Sequence, residues 1–150
     1  MNATMRKFGY PDSVVAEYDS WIVLLRPQQV TLGAVVLACK ETAQQFGALS
    51  AAAGAELVAV SKDLELALTR AFSHDKINYL MLMMVDPDVH FHVLPRYAAT
   101  HRLDELEFSD VAWPGPPRLD QINATDALIN ARIRALLLAA WPARALSTAI

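Results

Sequence analysis

The stretch from Asp86 to Tyr97 constrains this chain more than any other. Asp88, His90, His92 and Leu94 alternate there with Val89, Phe91 and Val93. A period of two is the signature of a strand, whose successive side chains point to opposite faces. The β-branched and aromatic set suits a face packed on a core. The other set lines up a carboxylate and two imidazoles at steps of roughly 6.5–7 Å, two strand rises each. Histidine titrates near neutrality, so a neighbouring pair suits nucleophile and donor roles around a phosphate. The same His-x-His spacing also suits metal ligation, and the bland alternative is that one or both are hydrogen-bonded core histidines.

At 150 residues, the usual size prior gives one domain, 1–150, able to bury a core. Hydrophobic residues make up 54% and charged residues 19%, a globular rather than disordered balance. The formal net charge is −3 and no basic run occurs, which argues against a duplex DNA surface. No apolar run approaches membrane-spanning length, and Met1 to Lys7 is not followed by a signal-like apolar segment. The single cysteine, Cys39, sits in the apolar run Ala34–Cys39 and reads as a buried thiol, so a reducing, cytoplasmic setting is expected.

Along the chain, residues 1–12 show no periodicity and end in the turn signal Tyr10-Pro11-Asp12. Strands are expected at Val14–Tyr18, Trp21–Leu25 and Ala34–Lys40, the first two joined by Asp19-Ser20 and the last two by a loop from Arg26 to Gly33. A helix capped by Ser50 should run to about Phe72, its stripe formed by Leu57, Val60, Leu64, Leu68, Ala71 and Phe72. Lys62, Asp63, Glu65 and Arg70 fall to a solvated face. Lys76 to Val85 reads as a central strand, with Met81, Met83 and Met84 filling core or a subunit interface. Asn78, the one amide in that run, either satisfies a backbone group or faces a ligand. Phe108 to Pro117 is rich in proline and cannot be regular helix, so it lies as a lid or packs on the sheet. Asp120 to Trp141 returns to helical spacing and stops at Pro142.

His90-Phe91-His92-Val93-Leu94-Pro95-Arg96 resembles the end of the histidine triad motif, His-x-His-x-His followed by apolar residues and often Pro-Arg. The resemblance runs from about Val14 to Tyr97, a core of about 14–97 followed by a 98–150 extension with its own helix. It implies a nucleotidyl hydrolase or transferase related to the dinucleoside polyphosphate hydrolases and fragile histidine triad proteins. His90 then takes the place of the nucleophile and His92 that of the last triad histidine. Asp88 stands where the first histidine belongs. Arg26 stands where the family commonly carries an Asp or Asn that holds the ribose. Arginine cannot accept hydrogen bonds, so it would meet a phosphate or carboxylate, or be a solvated loop residue. Between the strands, only Asp86-Pro87-Asp88 remains of the family's longer phosphate-touching loop.

The expected fold is α+β, an antiparallel sheet of about five strands with a long helix packed on it and a C-terminal helix. His90 and His92 are the candidate catalytic residues, and Asp88, Arg26, Asn78 and Arg96 the candidate substrate-binding ones. No resident cofactor is expected, although a divalent cation can accompany a nucleotide substrate. A nucleotide or dinucleoside polyphosphate is the expected ligand and a homodimer the expected assembly. Three function classes stay open: a nucleotidyl hydrolase or transferase, a dimeric nucleotide-binding protein without efficient catalysis, and a metal site at Asp88, His90 and His92.

Overall fold

The computed structural model describes residues 1–143. Its centre is an antiparallel sheet of five strands in the order β1-β2-β3-β5-β4. The strands are β1 (Val14–Glu17), β2 (Trp21–Leu25), β3 (Val35–Cys39), β4 (Lys76–Leu80) and β5 (His90–Arg96). β2 and β3 are buried on both faces, so this sheet is covered on both sides, unlike a sheet with one wet face.

One face packs on α2 (Ala51–Phe72). The Ser50 hydroxyl accepts from the N–H of Ala53, which satisfies one of the free donors of the first turn. Val60, Leu64, Leu68 and Phe72 meet Val23, Val35, Leu37 and Val93 in one core cluster. Asp63 is not on a solvated face as its position off the stripe suggests. It is buried and accepts a hydrogen bond from Tyr18 Oη at 2.9 Å. α3 (Ala127–Ala140) starts at the Asp126 cap and adds Ile133 and Leu137 to the same cluster.

The opposite face carries Ile22, Leu24, Val36 and Ala38, and it is covered by a helix the sequence does not announce. This is α1 (Ala3–Lys7), five residues capped by Asn2, which with Phe8 packs Met5 and Phe8 onto the sheet. A helix this short has too few residues to display periodicity.

Three further boundaries differ from the sequence pattern. β4 ends at Leu80, not Val85, and Met81–Val89 form a nine-residue irregular loop. The apolar run Met81–Val85 looks like strand, yet Met83 has φ 56° and Leu82, Met84 and Val85 are exposed. The loop ahead of the histidines is therefore long rather than short. A two-stranded ribbon, β6 (His101–Leu103) and β7 (Leu106–Phe108), precedes the proline-rich segment. That segment packs beside β4 and β5 instead of lying over the histidines, with Trp113 to Pro116 lining a cavity shared with Lys76, Asn78 and Arg96. Of the 98–150 extension, residues 144–150 lie outside the described part. No helix among the described residues is long and apolar enough to cross a membrane.

Candidate functional site

β5 is an inner strand, held by β3 on one side and β4 on the other. Its register places His90 opposite Ala38 and His92 opposite Val36 and Leu80. These neighbours are small or aliphatic, so both rings stand on the α1 face without polar competition from beside them. The period-two pattern holds: Val93 and the half-buried Phe91 join the α2-side core, while His90 and His92 face the other way. The ring centroids lie 5.1 Å apart at 80° to one another.

His90 is almost fully enclosed, 2% exposed. Its Nδ1 lies 2.6 Å from the backbone carbonyl oxygen of Asp88. A carbonyl only accepts, so Nδ1 carries the proton of this bond and Nε2 of the neutral ring keeps its lone pair. His92 is held neutral at physiological pH. Burial foremost, then the charge of Arg26 and the neighbouring His90, push it down to about 4. A neutral ring keeps one N–H to donate and has no positive charge of its own.

α1 closes the site from above. Thr4 Oγ1 donates to Asp88 Oδ2 at 3.2 Å, and Lys7 Nζ meets Asp86 Oδ2 at 2.7 Å. Asn2 Nδ2 donates to the carbonyl of Cys39 at 3.0 Å. The Phe8 ring packs edge-on to His92 at 5.7 Å and tilted against His90 at 6.2 Å. Asp88 is thus buried and engaged by α1. It does not line the cleft that the two imidazoles line.

The third wall is the β2–β3 loop. Gln29 is completely buried, and its side chain staples that loop internally. Its Nε2 donates to the carbonyls of Arg26 and Ala34, and its Oε1 accepts from the N–H of Gly33. Gly33 sits at φ 86° with Phe72 so close that a Cβ would fall 2.9 Å from the ring. Only glycine satisfies both the backbone angle and the contact. So fixed, the loop presents Arg26, which is buried rather than solvated. Its Nη1 donates to the carbonyl of Gln28 at 2.9 Å.

Between α1, this loop and the Met81–Val89 loop lies a cleft of about 280 Å³. That is near the lower end of small-molecule sites. His90, His92 and Arg26 line it together with Lys7, Phe8 and the apolar Leu82–Val85 stretch. Asn78 and Arg96 are placed elsewhere. Arg96 donates to Asn78 Oδ1 at 2.8 Å and to Gly115 O at 2.9 Å, and its Nε pairs with Asp110 at 2.6 Å. Its guanidinium holds the proline-rich segment to the sheet, and Asn78 Oδ1 has Arg96 as an internal partner beside the cavity that both residues line. For the metal alternative, no three His, Cys, Asp or Glu side chains among the described residues gather as a ligand set. The Asp88 carboxylate is instead bonded to Thr4.

Thr4, Lys7, Phe8 and the Leu82–Val85 wall escape a reading of local pattern because each meets the site across a long stretch of chain, and Gln29 escapes it because its bonds are to the backbone of its own loop. Phe8, a lone aromatic just ahead of the Gly9-Tyr10-Pro11 turn, was the one available signal.

No protein-family model matches the chain, and no curated protein sequence does. Solved structures do. A histidine triad protein from Bradyrhizobium japonicum superposes with a TM-score of 0.72 at 18% identity, covering 95% of this chain and 97% of that one. One from Sinorhizobium meliloti gives 0.73 at 15%, covering 93% and 95%. A hypothetical histidine triad nucleotide-binding protein from Sulfolobus tokodaii gives 0.63 at 18%, covering 85% and 82%. At these identities the likeness is one of fold, and the fold is that of the histidine triad proteins.

Proposed function

We propose that this protein is a nucleotide-binding hydrolase or nucleotidyl transferase acting on a nucleoside phosphate ester, anhydride or phosphoramidate. The observation that carries this is the hydrogen bond from His90 Nδ1 to the Asp88 carbonyl. It sets the tautomer, so the Nε2 lone pair is the one available to phosphorus. Attack forms the P–N bond and expels the leaving group with its electron pair. Water then cleaves the nucleotidyl-histidine and restores the ring. His92 donates its N–H to a non-bridging oxygen, where charge develops. The reaction needs no resident cofactor, and a divalent cation would enter with a polyphosphate substrate. The fold shared with a structure described as nucleotide-binding supports the substrate class. A buried single thiol suits a cytoplasmic setting.

A second reading has its own observation. His90 is 2% exposed beneath Phe8 and α1, which favours a nucleotide-binding or interaction protein whose turnover is weak. In either case we infer a homodimer: β4 is an edge strand with one side unpaired, and Leu82, Met84 and Val85 beside it are exposed.

Rapid quenching at alkaline pH with a nucleoside phosphoramidate or a dinucleoside polyphosphate tests the covalent step. The expected product is a nucleotidyl group on the peptide containing His90. Tight nucleotide binding by titration, with neither adduct nor product, would leave the second reading standing.

A further inference from the structure

Arg26 is a buried cation without an ion-pair partner among the described residues. It is 8% exposed, and its Nε is enclosed with no hydrogen-bond partner among the described residues. Lys7, the other cation of the cleft, is matched by Asp86. Charged groups survive burial when something pairs them, and Arg26 lines the cleft together with His92.

The register fixes where the backbone of Arg26 lies. Ile22, Ala38 and His90 form one row across β2, β3 and β5, and Leu24, Val36 and His92 form the next. Arg26 follows Leu24 by two residues, so it stands on the same face. Its N–H pairs with the Ala34 carbonyl at 3.0 Å, which continues the ladder by one more row. Rows on one face are roughly 6.5–7 Å apart, so the Arg26 row lies about 13 Å from the His90 row, with His92 between them. Arg26 thus enters the cleft from the His92 end, away from the His90 row.

We propose that Arg26 anchors a second anionic group of the substrate, a phosphate or carboxylate on the portion that stays bonded to the phosphorus attacked by His90. The proposal rests on the nucleotidyl reading above and narrows it. The cleft prefers a ligand with two separated anions over one that offers only sugar hydroxyls at that end. Guanidinium is suited to this, since it meets phosphate or carboxylate with paired donors.

Calorimetric titration of wild type and Arg26→Gln with three probes decides it. The probes are adenosine monophosphate, an adenosine bisphosphate phosphorylated at both ends of the ribose, and inorganic pyrophosphate. Wild type should bind the bisphosphate at least about tenfold more tightly than the monophosphate. In Arg26→Gln that gap should close while monophosphate affinity persists, and Arg26→Lys should keep part of it. Equal weakening of both nucleotides, or a gap that survives the substitution, overturns the proposal. If neither nucleotide binds wild type, the nucleotidyl reading fails by itself and pyrophosphate decides the anchor. Pyrophosphate binding that Arg26→Gln abolishes supports it, and binding absent or unchanged overturns it. Removing an unpaired buried charge should leave the unfolding temperature without anion equal or higher. A large fall would make Arg26 a structural residue and overturn the proposal too.

Discussion

Thr4 donates a hydrogen bond to Asp88 across 84 positions of the chain, at 3.2 Å. This one contact joins α1 to the histidine strand at the place where the sequence departs from the triad pattern. The carboxylate has a partner of its own, on a segment that covers His90.

Removing that donor should therefore cost stability. Thr4→Val leaves a buried carboxylate short of a bond, and hydrogen bonds to charged groups are worth about 1.5–3 kcal/mol. Urea unfolding should show a loss of that order, with Thr4→Ser close to wild type. Asp88→His, which restores a triad histidine, should hold or raise the rate. An unchanged midpoint in Thr4→Val would show that the contact contributes nothing.

The two histidines should separate in their effects. His90→Ala should abolish mononucleotide release while leaving binding largely intact, because a group acting in the transition state adds little to ground-state affinity. His92→Ala should slow turnover less, since one donor at a developing oxyanion is worth about 3 kcal/mol. Single-turnover rates beside equilibrium titration check both. Equal rates in wild type and His90→Ala would remove covalent catalysis.

Acid should weaken the fold through His92. Its folded value of about 4 lies below the ordinary value of 6.5, so between those limits the unfolded chain binds a proton that the folded one does not. Stability is then level above about pH 6.5 and declines as pH falls toward about 4. Burial lowers His74 as well, and it adds in the same direction. Melting temperatures across this window should fall less steeply in His92→Gln than in wild type. Parallel slopes would contradict the shift.

Arg96 should matter for folding and not for chemistry. Both it and Asp110 are buried, and breaking such a pair strands one charge, at a cost of about 3–5 kcal/mol. Arg96→Ala and Asp110→Ala should each be strongly destabilised, while the turnover of whatever folds stays near wild type. A selective loss of nucleotide affinity at unchanged stability would return Arg96 to the binding site.

The assembly is open to direct measurement. Sedimentation at micromolar concentration should give the mass of two chains, and Met84→Glu with Val85→Glu should shift it toward one. A single-chain mass in the wild type would end the dimer proposal.

What the sequence made legible was periodic and local. The alternation around His90 and His92 and the Ser50 cap of α2 each lie within a few residues of one another, and the structure keeps them. The Met81–Val85 run misled because apolar composition does not distinguish a buried strand from a loop that exposes its side chains. Arg96 and Asn78 looked available for a ligand because Asp110, the partner of Arg96, comes from the later segment after β7, and Arg96 in turn donates to Asn78. The sequence left Arg26 open between a phosphate or carboxylate contact and a solvated loop residue, and the bonds of Gln29 within the same loop show it held in a buried place.

The position of α1 bears on how this protein is handled at the bench. Met1 is exposed, and only a few residues separate it from the Phe8 ring that covers both imidazoles. An affinity handle fused ahead of Met1 would be tethered one five-residue helix away from Lys7 and Phe8, which line the cleft, and a histidine-rich one would carry extra imidazoles on that tether. Rates and affinities measured on such a fusion describe the handle together with the site, so cleaved and uncleaved protein belong side by side in every assay.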